Sequence, residues 1–96
     1  AGTASDIYST GILLFEMLTG APPFDGDNAL SVAYQHMHSD VPRPSDRVAG
    51  LPTELDDLVL GATARDPADR FPSASAFLEE VRHLTERAGL PLLEDD

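Results

Sequence analysis

Apolar side chains crowd the first predicted helix. Residues 6–19 are mostly good helix formers, with Ser5 or Asp6 placed to cap the free amides and with Gly20 and the Pro22, Pro23 pair placed to end the segment. At 100° per residue, Ile7, Tyr8, Ile12, Leu13, Leu14, Phe15, Met17 and Leu18 surround nearly the whole circumference and leave only a stripe of Ser9 and Glu16. A helix apolar all round belongs inside a larger core. A second helix starts from a cap at Asp27 or Asn28 and reaches about His38, with Leu30, Ala33, Tyr34 and Met37 at the i, i+3, i+4, i+7 spacing of one buried face. Residues 39–50 have no period and read as an ordered polar connector. Thr53 followed by Asp56 resembles a capping box, and Leu55, Leu58, Val59 and Ala62 give a third helix its apolar face before it stops near Ala64. Asp66 and Pro67 form a turn. Ser73 then caps a fourth helix whose Ala74, Phe77, Leu78, Val81, Leu84 and Ala88 share one side, with Gly89 and Pro91 as its stop. No segment alternates convincingly as a strand, so the predicted class is all-α with four helices. Residues 1–89 form one unit, and residues 90–96 a tail or the start of a linker.

Composition narrows what such a bundle can do. The 96 residues carry seventeen acidic and six basic side chains, a net charge of −11 that repels nucleic acid and anionic lipid. Neither is expected as a partner. All six basic residues are arginines, so the chain holds no P-loop lysine, Schiff-base lysine or phosphate-pairing strand lysine. Without cysteine there is no disulfide framework and no thiolate. No apolar run approaches the roughly 20 residues of a bilayer span, and the first residues lack the plan of a signal peptide, which predicts a soluble chain.

The candidate chemical groups mostly dissolve on inspection. His36 and His38 lie two apart on a helix, about 200° from each other, and cannot share an ion. The adjacent carboxylates Asp56, Asp57 and Glu79, Glu80 diverge in the same way and read as solvated surface rather than as an acid and base pair. Phe24 to Asp27 lacks the alternating oxygen ligands and terminal Glu of a calcium loop and reads as a turn into a helix cap. The hydroxyls of the first helix have no histidine base at a useful spacing. On these grounds the chain has no active site and binds no metal or cofactor.

Two stretches carry a specific signal. Ser5-Asp6-Ile7-Tyr8-Ser9-Thr10-Gly11, continued by Phe15 to Gly20 and by Pro22, Pro23 and Phe24, resembles the D-x-[WY]-S-x-G helix of eukaryotic-type protein kinases. Ala64 to Phe71, A-R-D-P-A-D-R-F, resembles the last motif of the same catalytic domain. Their wording is most similar to bacterial serine/threonine kinases, and an arginine-only basic set suits a GC-rich actinobacterial genome. The resemblance implies the final part of the large C-terminal lobe: a buried central helix and three outer helices.

The glycine-rich loop, the strand lysine, the catalytic-loop Asp and Asn, the D-F-G metal ligand and the A-P-E segment are all missing from this sequence. The resemblance therefore implies ATP and Mg²⁺ for a full-length parent and neither for this chain. It also implies that Asp6 accepts amides from the catalytic loop, that Leu13 and Met17 support a hydrophobic spine, and that Arg70 pairs with the A-P-E glutamate. Lacking that glutamate, Arg70 is expected to find another acid, face water or bind a second chain, and its loss here is expected to cost little. The implied partners are the remainder of the kinase domain and, for the parent, protein substrates, with self-association through the uncovered first helix. The implied location is cytoplasmic, in a parent open to being a single-span membrane kinase. The alternative is an independent acidic helical interaction module with no catalytic parent.

Overall fold

The computed structural model describes residues 2–87. Five α-helices follow one another: α1 (Thr3–Thr19), α2 (Ala29–His38), α3 (Pro44–Arg47), α4 (Thr53–Thr63) and α5 (Ala74–Arg87), with a 3₁₀ turn at Pro67–Asp69 before α5. No strand occurs among the described residues, and the fold is all-α. The expected stop at Gly89 and Pro91, the place of Ala88 on the last helix and the 90–96 tail lie outside the described residues.

α1 is the hub. Its first turn begins earlier than expected, because Gly2 takes the N-cap position and its carbonyl accepts from the Asp6 amide at 3.1 Å. Neither Ser5 nor Asp6 caps it. The far end closes as expected on Gly20, whose φ of 84° is the left-handed region that glycine enters at least cost. One side of α1 lies flat on α4, and Gly11 makes that possible: a Cβ there would come within 2.6 Å of the Thr63 methyl and 2.8 Å of the Ala62 Cβ. This close approach divides the core into two clusters. Ile7, Leu58, Ala62, Phe77 and Leu84 pack on the α5 side, and Phe15, Phe24, Val41 and Val59 on the other, with the half-buried Leu14 touching both.

The connector 39–50 departs from expectation by forming α3. Pro44, fully buried at the first helical position, presets the backbone angle, and the buried Asp56 carboxylate accepts from the Ser45 amide at 3.0 Å and the Ser45 hydroxyl at 2.6 Å. A four-residue helix leaves no periodicity in the sequence. The same bonds overturn the capping box at Thr53: Pro52 stands at the N-cap of α4 with no side-chain cap, and Asp56 is engaged with Ser45. Asp56 is 3% exposed, so it is not a surface carboxylate either. The caps expected at the second and last helices are present, where Asn28 accepts from the Ser31 amide and Ser73 from the Ala76 amide; Asp66, expected only in a turn, also accepts from the Ala68 amide.

The second helix inverts its expected face. Leu30, Tyr34 and Met37 are 79%, 63% and 72% exposed, and no α2 residue is fully buried. The opposite side faces the body, where half-buried Val32 packs on the second cluster and His36 meets Tyr8 and Phe24. Leu78 of α5 is likewise turned outward, whereas the α4 face of Leu58, Val59 and Ala62 is buried as expected.

Candidate functional site

Two hollows flank α1. The first is an open pocket of about 410 Å³ lined by Ser5, Tyr8, Ser9, His36, Met37, Arg65 and Arg70, and no carboxylate is among these residues. In a chain of net charge −11, this pocket, which sets the Arg70 guanidinium, without a carboxylate partner among the described residues, beside an imidazole and an Arg65 paired with Asp40, is the place an anionic group would enter.

Arg70 sits in it by virtue of the turn Pro67–Asp69, which folds the chain back beneath the end of α4. Its Nε donates to the Ala64 carbonyl at 2.7 Å, Nη1 to Ala4 at 3.0 Å and Nη2 to Arg65 at 3.4 Å. A cation at the C-terminal carbonyls of α4 is favourable on dipole grounds, and the contact to Ala4 ties that helix end to the start of α1. The guanidinium also lies 4.9 Å from the centre of the Tyr8 ring. Arg70 thus takes backbone carbonyls and an aromatic face, and among the described residues no carboxylate pairs with it. With these partners, the loss of Arg70 is expected to cost more than its sequence context alone implies.

Tyr8 completes the pocket wall. Its hydroxyl is 2.6 Å from His36 Nδ1, and burial pushes the phenol's pKa up against the opposing pull of the Arg70 charge. Phe24 meets the other side of His36 edge-on at 4.9 Å. Arg65 binds Asp40 through Nε at 2.8 Å and the His38 carbonyl through Nη1 at 3.3 Å. Sequence reasoning missed the Tyr8 to His36 contact, because two residues 28 positions apart give no local signal. Tyr8 had stood out only as part of a motif.

The second hollow is an apolar groove of about 300 Å³ lined by Thr10, Leu13, Leu14, Met17, Leu55, Leu58, Phe77, Val81 and Thr85. Leu13 and Met17 come together on it, 58% and 72% exposed, one turn apart on α1. Asp6 joins neither hollow; its carboxylate is exposed and has no hydrogen-bond partner among the described residues. Nor do the residues present fit Mg·ATP. The chain has no lysine, and no cluster of three or more His, Cys, Asp or Glu suited to a metal occurs among the described residues.

Sequence comparison relates the chain to known proteins. No protein-family profile matches the chain. Serine/threonine-protein kinase PknL of Mycobacterium tuberculosis, however, is 48% identical over 91 residues, which make up 95% of this chain and 23% of that protein. The chain is homologous to a segment of bacterial serine/threonine protein kinases. The probable serine/threonine-protein kinase PknB of Corynebacterium glutamicum is 44% identical over 92 residues, 92% of this chain and 14% of that protein. Serine/threonine-protein kinase PknB of Mycobacterium tuberculosis is 51% identical over 77 residues, 80% of this chain and 12% of that protein. The chain spans about a quarter or less of the length of these relatives. It contains no helix long and apolar enough to cross a membrane among the described residues.

Proposed function

We propose that this kinase segment forms the helical base of the large lobe of a serine/threonine kinase, a scaffold and protein-docking surface built around α1. The observation that carries the proposal is the pairing of two hollows on the flanks of a helix shared with kinase relatives: one apolar, on Leu13 and Met17, and one cationic, on Arg70. The apolar groove is suited to apolar side chains from the remainder of the kinase domain, and the Arg70 pocket to a glutamate from the A-P-E segment. Asp6, exposed in the first turn of α1, is free to accept amides of the catalytic loop. In the parent, ATP and Mg²⁺ supply the phosphoryl group and its charge neutralisation for transfer to protein hydroxyls, in a cytoplasmic catalytic domain. None of that chemistry runs through a residue of this chain.

Complementation tests the proposal. The N-terminal part of PknL, up to where the match begins, is mixed with this chain and supplied with Mg·ATP and a protein substrate. Phosphate incorporation on mixing, with neither part active alone, is the expected outcome. Tight association without any gain of activity, or no association, would return the chain to the class of independent interaction modules.

Without the rest of the domain, each large side chain along the groove forgoes about 1.5 to 3 kcal/mol of burial. The isolated chain should therefore self-associate through α1. Light scattering over a dilution series is expected to show a dimer, weakened by Met17→Glu. A monomer at all concentrations, with little dye binding, would mean that this face needs no cover.

A further inference from the structure

α2 is attached to the body in an unusual way. Its large apolar side chains point outward, and apart from Val32 the inward contacts are polar or aromatic: Gln35 donates to the Asp25 carbonyl at 2.7 Å, His36 meets the Tyr8 hydroxyl, and the Arg65 guanidinium reaches the His38 carbonyl. Two of these attachments run back to one residue. Arg70 lies over the face of the Tyr8 ring, whose hydroxyl bonds His36. Arg70 also donates to the main-chain carbonyl of Arg65, the residue whose side chain holds the last turn of α2 and Asp40.

We propose that Arg70 is a positioning residue for α2, a helix to which it makes no hydrogen bond, acting through Tyr8 at His36 and through Arg65 at His38. The consequence is that the cationic pocket and the outward face of Leu30, Tyr34 and Met37 are coupled. Arg70 uses three of its five N–H groups on carbonyls, leaving two for an incoming carboxylate. A group that binds there and stiffens the guanidinium also fixes the helix that carries the apolar face. By reciprocity, a protein held against α2 tightens the pocket. This consequence rests on the kinase-lobe proposal; the relay itself is a property of this chain alone.

The relay is tested by hydrogen exchange on the intact 96-residue chain, comparing amides of residues 29–38 with those of α4. Arg70→Gln is expected to speed exchange in α2 by about tenfold while α4 changes far less, since a weakly anchored helix opens locally before the core does. Tyr8→Phe keeps the ring beneath Arg70 and removes only the bond to His36, and should speed α2 several-fold. The double variant should fall short of the product of the single effects, the signature of a shared path. Equal acceleration in α2 and α4 would make Arg70 a general stabiliser and overturn the proposal. So would an α2 indifferent to Tyr8→Phe, a variant mild enough to stay folded if Arg70→Gln does not. Neither result bears on complementation, so failure of the relay and failure of the kinase-lobe proposal are separable.

Discussion

α4 and α2 both pack against α1, and they do so by opposite means. α4 approaches until only a glycine fits between the backbones, buries Leu58, Val59 and Ala62, and brings into the seam the polar Thr63, whose hydroxyl donates to the Val59 carbonyl of its own helix at 2.8 Å. α2 turns Leu30, Tyr34 and Met37 toward solvent and is held by Val32, by the Tyr8 phenol on its His36, by its Gln35 on the Asp25 carbonyl and by the Arg65 guanidinium on its His38 carbonyl. Apolar burial is non-directional and adds up with area, so the α1 and α4 seam is where the folding energy lies. Hydrogen bonds contribute less net energy each but fix orientation, and they give α2 a defined pose without much stability. The chain thus combines a densely packed seam with a helix that is held mainly by directional contacts and carries an exposed apolar face.

The largest test of this contrast compares two aromatics. Phe15 is fully buried beside Val59, and Phe15→Ala should cost about 3 to 5 kcal/mol, much of the stability of a small domain. Tyr34→Ala on the outward face of α2 should shift the urea midpoint by no more than about 0.5 kcal/mol equivalent. Similar losses for the two would show that α2 is as much a part of the core as α4. Asp56→Ala comes next, leaving the Ser45 amide and hydroxyl without their acceptor at a cost of about 1 to 3 kcal/mol, partly recovered in Asp56→Asn. A change near zero in urea unfolding would mean that water replaces the carboxylate and that α3 is not pinned by it. Gly11→Ala is finely balanced. Alanine favours the helix by about 1 kcal/mol, but its methyl would collide with Thr63 and Ala62, and overpacking costs about 1 to 3 kcal/mol. A net loss of about 1 kcal/mol is expected, and a gain in melting temperature would show that the seam opens without penalty.

How much of this could be read from the residues alone differs between the same two helices. α4 was legible because its apolar period and its cover coincide. α2 has an equally regular period, yet periodicity shows only that a helix has two faces; it does not say which of them this chain covers. Val32 and His36, the residues that do face the body, are an ordinary apolar residue and a histidine whose partners lie on α1 and in the loop at Phe24. α3 was invisible because its causes are a buried proline and a carboxylate eleven residues away. The apolar circumference of α1, by contrast, foretold a helix with one side short of cover, and Leu13 and Met17 lie on that side. Arg70 was singled out by its motif, but the sequence could not show that three carbonyls would hold it, since backbone acceptors leave no mark on composition.

The smallest expected effect is also the one most specific to the α2 attachment. Burial raises the pKa of Tyr8 above that of a free phenol, with the Arg70 charge opposing it. The folded state therefore holds the phenolic proton more tightly than the unfolded chain does. Stability from this group is fully present below the unfolded value of about 10 and is lost as the pH rises through the higher folded value. Deprotonation also takes a proton out of the 2.6 Å contact between the Tyr8 hydroxyl and His36 Nδ1. Alkaline titration should thus loosen α2 before it unfolds the α1 and α4 seam, and Tyr8→Phe should remove the pH-dependent part while leaving a constant, weaker attachment. Tyr34, exposed and free of this contact, serves as the internal control. Exchange or fluorescence measured from pH 8 to 11, values spanning the roughly pH 10 ionisation of a phenol, provides the readout. An α2 that loosens with the same profile in wild type and Tyr8→Phe would place the alkaline sensitivity in the arginines or the backbone, and would remove Tyr8 from the account of how this helix is held.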